Sequence, residues 1–187
     1  MAICMVTLAP IRFIALFFCG LISLITSFIV MLGVDPERHE SEPFTGWREW
    51  VRNKFLTRLA KVAAFAAGIQ RLNIKGTRVS KAEAPIMAFA PHTSFVDGLA
   101  MWVLDLPCTI MTKAALFTRV GLPAQPITVD RHDANNKIKT AELIKKRSDP
   151  ANKWPQLLIY PEGTTTNGHS LVSFKPGAFA PGLPIQP

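Results

Sequence analysis

The hydrophobic positions of the chain form one long run near the N-terminus and several short runs further on. The long run covers residues 13–34 and contains no charged side chain. As a helix it would be roughly 33 Å long, which is enough to cross the hydrocarbon core of a bilayer. A cleaved signal peptide is the alternative, but the run is too long and no small-x-small cleavage site follows it. The pattern therefore predicts a membrane anchor over residues 1–34, with a transmembrane helix at about 13–34.

Four short apolar runs in the remainder of the chain are typical of buried strands. Segments that can be helical separate them, and the alternation predicts an α/β domain with a largely parallel sheet flanked by helices. The predicted strands are 86–90, 108–111, 127–129 and 157–160, and the predicted helices are 94–104, a stretch after Lys113, and 134–147. The connection over residues 112–126 is tight, because a crossover needs about 10–12 residues including its helix.

A basic amphipathic helix is predicted to follow the anchor. Residues 35–46 are polar, contain two prolines and read as a linker, so the α/β domain is assigned to residues 47–187. From Trp47 to Lys81 the chain has nine basic residues against the single acid Glu49, with apolar residues between them at helical spacing. This helix either contacts anionic lipid headgroups or covers the domain core with its basic face in water.

The net charge of +8 is concentrated after the apolar run. By the positive-inside rule this distribution predicts a cytosolic location for the bulk of the protein. No nucleic-acid-binding motif accompanies the charge, so nucleic acid is not an expected partner. The three cysteines show neither a disulfide framework nor the spacing of metal ligands.

Polar side chains follow three of the predicted strands. His92 comes after the first, Asp130 and Arg131 after the third, and Glu162 after the fourth. Ligands of open α/β sheets bind at the carboxyl ends of the strands, so a base, a cation and a carboxylate should meet at one edge. Arg131 either grips a phosphate with its planar guanidinium or is an ordinary surface arginine.

His92 and Asp97 are a candidate base and its orienting carboxylate. The stretch from Ser94 to Asp97 is also a helix-capping pattern, and the two interpretations are compatible if His92 precedes the helix and folds back over Asp97. Asp97 would then accept a hydrogen bond from one ring nitrogen and leave the other as a general base. No nucleophile of the protein accompanies the pair, so the nucleophile would be a hydroxyl of the substrate.

The polar segment 162–168 is either an ordinary turn or a site for a phosphorylated alcohol. Lys175 follows it, and either extends such a phosphate site or belongs to a turn. The remaining histidines have no partner that the sequence identifies and are predicted to lie on the surface: His39, His132 and His169.

Four motifs resemble those of the glycerophospholipid acyltransferases, membrane enzymes that acylate lysophosphatidic acid and lysophospholipids. Residues 92–97 (HTSFVD) are similar to their H-x4-D motif, 127–131 (ITVDR) to their second motif, and 161–164 (PEGT) to their E-G-T motif. Residues 181–187 (PGLPIQP) resemble the start of their fourth motif. The resemblance covers roughly residues 47–187 and is strongest to the lysophosphatidylcholine acyltransferase branch.

The resemblance implies direct acyl transfer. His92, held by Asp97, would take the proton from the free hydroxyl of a lysophospholipid, and that oxygen would attack the thioester of acyl-CoA. The implied substrate-binding residues are Arg131, Glu162, Gly163 and Thr164, with Lys175 as an extension of the phosphate site. Acyl-CoA is a co-substrate, and neither a metal nor a resident cofactor is implied. The implied location is the membrane of the endoplasmic reticulum.

Two departures from the family favour other hypotheses. The stretch from Lys113 to Arg131 is short beside the lysophosphatidylcholine acyltransferase branch, and the chain ends at Pro187 within the fourth motif, so we expect the acyltransferase domain of residues 47–187 to be truncated at its C-terminus. A catalytically silent lipid-binding relative, or a fragment of such an enzyme, is therefore the main alternative. A third hypothesis is an α/β phosphoester enzyme that uses His92 and Arg131 and releases phosphate without acyl-CoA.

Overall fold

The N-terminal part of the molecule is helical, and the C-terminal part is built on a sheet. The computed structural model describes residues 2–71, 73–94, 96–105, 108–112, 121–129, 136–170 and 172–187. The helices are α1 (Ala2–Met31), α2 (Pro36–Ser41), α3 (Trp47–Trp50), α4 (Thr57–Ala66), α5 (Asp97–Val103) and α6 (Asn136–Ser148). The strands are β1 (Ile86–Ala88), β2 (Cys108–Thr112), β3 (Ile127–Val129), β4 (Leu157–Ile159) and β5 (Ile185–Gln186). A π-helical segment (Val51–Leu56) joins α3 to α4, and 3-10 turns lie at Leu122–Ala124 and Pro176–Ala178.

The five strands form one parallel sheet in the order β3-β2-β4-β1-β5. All four predicted strands are present, with ends that differ by at most two residues, and β5 adds a fifth beside β1. The α/β class predicted from the alternation of apolar runs is confirmed. Because helices cover both faces of a parallel sheet, the neighbouring strands β1 (IMA) and β4 (LLI) are apolar throughout and do not alternate with polar residues.

Each face of the sheet has its own helix, as the two-residue period of a strand requires. On one face Ile86, Leu157 and Ile159 pack with Ile144 of α6. On the other face the neighbouring positions pack with α5, in a cluster that contains Met87, Leu158 and Met101. The helix predicted over residues 134–147 is therefore α6, and the one predicted over 94–104 is α5.

Helix α1 contains a stretch, Leu8–Met31, that is long and apolar enough to cross a membrane, with a mean hydropathy of 2.6. Only 17% of its most apolar window is buried, so α1 is not the core helix of a soluble domain. It packs against α4. The buried residues of the two helices include Cys19 and Ser27 on α1 and Ala60 and Ala64 on α4, and such small side chains allow helices to approach closely.

The predicted basic helix is observed as α3, the π-helical segment and α4 in succession. Its outer side exposes the aromatic and basic residues Trp47, Trp50, Lys54, Arg58, Lys61 and Phe65. Arg52 departs from the prediction of a basic face, since it is only 1% exposed. Its guanidinium is buried because it finds hydrogen-bond acceptors inside, among them Asn53 Oδ1 at 2.9 Å from Nε.

The segment 35–46, predicted as a linker, contains α2 and is fixed to the domain. His39 lies in α2 and was predicted to be on the surface, but that prediction is wrong, because the side chain is only 6% exposed. Its Nε2 lies 2.8 Å from the main-chain oxygen of Leu122, and its ring packs at 5.7 Å from the ring of Phe44. Burial lowers the pKa of His39 and outweighs the hydrogen bond to Leu122, so the ring is neutral and Nε2 donates.

Gln125, two residues before β3, joins this segment to the sheet. Its Oε1 accepts from the main-chain amide of Phe44 at 2.8 Å and from Arg52 Nη1 at 3.1 Å. Its Nε2 donates to the main-chain oxygens of His39 at 2.9 Å and Glu42 at 2.8 Å. The side chain is fully buried, and these four bonds use the whole hydrogen-bonding capacity of its amide.

Arg147 of α6 completes this buried polar network. Its guanidinium is fully buried, lies 4.0 Å over the ring of Trp154, and donates to the main-chain oxygens of Gln125 and Glu40. The Glu40 carboxylate in turn accepts from Lys139 and from Thr128. Burial raises the pKa of Glu40, but those two bonds and the nearby positive charges outweigh it and hold the pKa below its usual value.

Replacing Gln125 with alanine should lower the free energy of unfolding by about 3 kcal/mol, because it leaves several buried polar groups without partners. Urea unfolding of the full chain in detergent micelles, followed by tryptophan fluorescence, measures the loss. Gln70→Ala removes the same side chain from an exposed position and should change stability by less than about 0.5 kcal/mol. Equal losses for the two variants would show that the Gln125 network does not hold the N-terminal segment.

Candidate active site

The candidate site lies where β1 and β4 end. These two strands are parallel neighbours with Ala88 opposite Ile159, so the chain leaves both at the same edge of the sheet. His92 follows β1, and Glu162 follows β4. The predicted convergence of these two residues at one sheet edge is therefore confirmed.

His92 and Asp97 form a hydrogen-bonded pair. Nδ1 of His92 lies 2.8 Å from Oδ2 of Asp97, and the side chains are 20% and 28% exposed. The same Oδ2 accepts from the main-chain amides of Thr93 and Ser94, each at 3.0 Å. Ser94 Oγ accepts from the amide of Val96 at 3.2 Å, as an N-cap side chain does. Helix cap and paired histidine are thus one structure, as the sequence predicted.

The charge on Asp97 is stabilised by this cap. Burial raises the pKa of Asp97, but the hydrogen bonds from the Ser94 amide, the His92 ring and the Thr93 amide outweigh burial and hold the pKa below its usual value. An ionised carboxylate accepts, so Nδ1 of His92 carries the proton that it donates to Asp97. Nε2 forms no hydrogen bond within the described part of the chain and is the nitrogen left to act as a base.

The loop after β4 holds the main chain of His92 on both sides. Oε2 of Glu162 accepts from the His92 amide at 3.1 Å, and the amide of Thr166 donates to the His92 carbonyl at 2.8 Å. Glu162 is only 5% exposed. The resemblance implied substrate binding for Glu162, whereas the contact seen here fixes the position of His92.

Gly163 brings Lys175 close to the same loop. Its φ of +66° is a left-handed conformation that favours glycine, and a Cβ there would lie 2.8 Å from both Cδ and Nζ of Lys175. The Lys175 amide donates to the Pro161 carbonyl at 2.8 Å. Thr164 is exposed beside them. Gly163, Thr164 and Lys175 are therefore neighbours, and a hydroxyl and an ammonium group are available to an anion at this edge.

Tyr160 is part of the site, and the sequence reasoning missed it. Its ring stacks on the ring of His92, with centroids 4.1 Å apart and an angle of 21° between planes. Its hydroxyl donates to the main-chain oxygen of Asp97 at 2.9 Å. The available signal was its place at the end of a predicted strand, two residues before Glu162. An open cavity of about 190 Å³ lies beside Tyr160 and Asp97. It is lined by Ala88, Phe89, Ala90, Pro91, Asp97, Tyr160 and Pro187.

Comparison with known proteins assigns the family. The sequence model described as "Acyltransferase" matches residues 71–187, which is more than half of the chain. The chain belongs to this acyltransferase family. No solved structure gives a significant match.

Curated relatives of this acyltransferase chain carry related names. It is 37% identical over 186 residues to lysophosphatidylcholine acyltransferase 2 of Danio rerio, covering 97% of the chain and 35% of the relative. It is 35% identical over 187 residues to the lysophospholipid acyltransferase LPCAT4 of Mus musculus, with the same two coverages. It is 40% identical over 151 residues to lysophosphatidylcholine acyltransferase 2 of Mus musculus, covering 79% of the chain and 28% of the relative. The chain thus spans about a third of the length of these relatives.

Several predicted features of the acyltransferase chain lie outside the described residues: Asp130, Arg131, His132 and the helix after Lys113. His169 is exposed, as predicted. No group of three or more histidine, cysteine, aspartate or glutamate side chains that could hold a metal ion occurs in the part of the chain that the structure covers. The site as described therefore consists of the hydrogen-bonded pair of His92 and Asp97 and the loop that fixes them.

Asp97→Asn tests the stability that the cap gives to the fold. A carboxylate whose pKa is lowered by folding stabilises the protein above its unfolded-state pKa, and the gain disappears as the pH falls through the lower folded-state value. The difference in free energy of unfolding between the native chain and Asp97→Asn should be largest above about pH 4 and shrink below it. Urea unfolding between pH 2 and 7 measures it, with Asp149→Asn as the control at an exposed aspartate. A difference that stays constant down to pH 2 would contradict this account of Asp97.

Proposed function

We propose that the chain transfers an acyl group from acyl-CoA to the free hydroxyl of a lysophospholipid of the lysophosphatidylcholine type. The observation that carries the proposal is the contact of 2.8 Å between His92 Nδ1 and Asp97 Oδ2, which leaves Nε2 as a base. The family supports acyl transfer, and the names of the relatives support the class of acceptor. A base with no protein nucleophile beside it suits the activation of a substrate hydroxyl.

The proposed reaction proceeds in one transfer. Nε2 of His92 takes the proton of the lysophospholipid hydroxyl while the oxygen attacks the thioester carbonyl carbon of acyl-CoA. The new C–O bond forms, the C–S bond breaks, and the imidazolium returns its proton to the CoA sulfur. Asp97 stabilises the imidazolium during this cycle without taking its proton. The products are a phospholipid with two acyl chains and CoA, and His92 is again neutral.

The phosphate of the acceptor is proposed to bind at the loop after β4. Lys175 supplies an ammonium group and Thr164 an exposed hydroxyl, while Gly163, which lacks a side chain, lets Lys175 approach this loop closely. Arg131, which follows β3, is proposed as a second cation for the same phosphate. Glu162 is proposed to act indirectly, by holding the main chain of His92 in place through its hydrogen bond to the His92 amide.

The proposed setting is the membrane of the endoplasmic reticulum, with α1 as a single-pass anchor and the sheet domain in the cytosol. Lysophospholipids and acyl-CoA both carry acyl chains that partition into a bilayer, so an anchored enzyme meets its substrates at the membrane surface. The apolar stretch of α1 and the concentration of basic residues after it support this placement.

The deciding experiment is CoA release by the membrane-embedded chain in the presence of an acyl-CoA and lysophosphatidylcholine. His92→Ala should reduce the rate by at least about 100-fold, because the general base is lost. His169→Ala, at an exposed histidine, is the matched control and should leave the rate unchanged. CoA release that is equal in the native chain and His92→Ala would contradict the proposal. A folded native chain that binds lysophosphatidylcholine vesicles without releasing CoA would indicate a silent relative.

Gly163→Ala tests the proposed role of Lys175. The added Cβ must displace the Lys175 ammonium, so we expect the KM for lysophosphatidylcholine to rise about 10-fold, as for the loss of one charged contact. Gly76→Ala imposes a similar positive-φ strain where no atom lies within 4 Å of the new Cβ, and its KM should be unchanged. Both variants should lose about 1 kcal/mol of stability from the strain. An unchanged KM in Gly163→Ala would exclude Lys175 from the phosphate site.

A further inference from the structure

Tyr160 contacts both members of the His92–Asp97 pair. Its ring lies against the imidazole at 4.1 Å between centroids, and its hydroxyl reaches the Asp97 carbonyl at 2.9 Å. The placement follows from the sheet, because β4 is the neighbour of β1 and Tyr160 is the first residue after β4. No other described ring stacks on the imidazole.

The stacking geometry suits a positively charged ring. An aromatic face carries partial negative charge, and a cation placed over it within about 6 Å is attracted to it. At 21° between planes the imidazole lies nearly flat on the phenol ring. The neutral imidazole gains less from this contact than the imidazolium does. The contact therefore favours the state that His92 reaches after it has taken a proton.

The hydroxyl fixes the second member of the pair. Asp97 begins α5, and the bond from Tyr160 to its carbonyl ties the first turn of this helix to the end of β4. Burial and the charge of Asp97 raise the pKa of Tyr160, so the phenol keeps its proton and remains a donor. Phe89, the first residue after β1, packs edge-on against the Tyr160 ring, with centroids 6.3 Å apart, and supports it.

We propose that Tyr160 is a positioning residue of the acyl transfer, which holds the imidazole plane against Asp97 and stabilises the imidazolium formed when His92 accepts the substrate proton. The inference rests on the proposed function for its catalytic consequence. The physical effect behind it, stabilisation of the His92 imidazolium by the Tyr160 ring, can be measured without any turnover.

The kinetic test compares Tyr160→Phe, which keeps the ring face and loses the hydroxyl, with Tyr160→Leu, which loses both. Tyr160→Leu should lower kcat about 10-fold and leave the KM of both substrates unchanged. It should also move the acid limb of the kcat/KM profile to lower pH, because the imidazolium of His92 loses the aromatic face that stabilises it. Tyr160→Phe should lower kcat roughly threefold and leave the acid limb in place. Trp102→Leu, an aromatic substitution in the same apolar cluster, controls for lost packing and should not move the limb.

A second measurement needs no activity. Diethyl pyrocarbonate transfers its ethoxycarbonyl group to the neutral ring only, releasing ethanol and carbon dioxide, and mass spectrometry of the peptide containing His92 follows the modification against pH. The midpoint, the pH at which half of His92 is modified, should be lower in Tyr160→Leu than in the native chain and unchanged in Tyr160→Phe. The exposed His169 of the same chain is the internal reference and should not move.

The outcomes separate the two proposals. A native chain without CoA release, combined with the shifted modification of His92, would refute the proposed function and still establish the effect of Tyr160 on the imidazolium. An unshifted midpoint in folded Tyr160→Leu would overturn the role of Tyr160, whatever the activity. A fall in kcat that is equal in Tyr160→Leu and Trp102→Leu, with the acid limb in place, would reduce Tyr160 to ordinary core packing.

Discussion

The hydrogen bond of 2.8 Å between His92 Nδ1 and Asp97 Oδ2 requires the chain to turn back on itself within five residues of leaving β1. The turn is stable because the same carboxylate closes the N-terminus of α5 through the amides of Thr93 and Ser94. One negative charge therefore satisfies two main-chain amides at the turn into α5 and orients the imidazole of His92. Capping energy and the orientation of the imidazole cannot be separated at this site, since both depend on Asp97.

The loop after β4 completes what the cap begins. Glu162 and Thr166 hold the His92 main chain, and Tyr160 lies against its ring. These contacts come from residues about 70 positions away in sequence, and the parallel pairing of β1 with β4 brings them into place. The imidazole is thereby fixed at its backbone, its ring face and its Nδ1 atom. In the proposed acyl transfer, this preorganisation would let His92 accept a proton without first being ordered.

A buried polar network links the segment after α1 to the sheet. Gln125 and Arg147 bond to the main chain of residues 39–44, so the position of this segment depends on the loop before β3 and on α6. Both side chains are fully buried, and such groups are tolerated only where their hydrogen bonds are made inside. The apolar helix and the sheet are therefore joined by a segment that has its own fixed place.

The sequence by itself determined four of the five strands, the helices α5 and α6, and the pair of His92 and Asp97. Apolar runs predicted the four strands, and the S-x-x-D pattern after His92 predicted a helix start, because these signals arise from local periodicity and local hydrogen bonds. Only the tertiary structure decided which distant residues serve the site. The burial of His39 and Arg52 depends on contacts with the loop before β3. The contact of Glu162 with the His92 amide and the stacking of Tyr160 depend on the pairing of β1 with β4. Neither composition nor spacing encodes which strands become neighbours, since pairing is decided by how the whole apolar surface is buried.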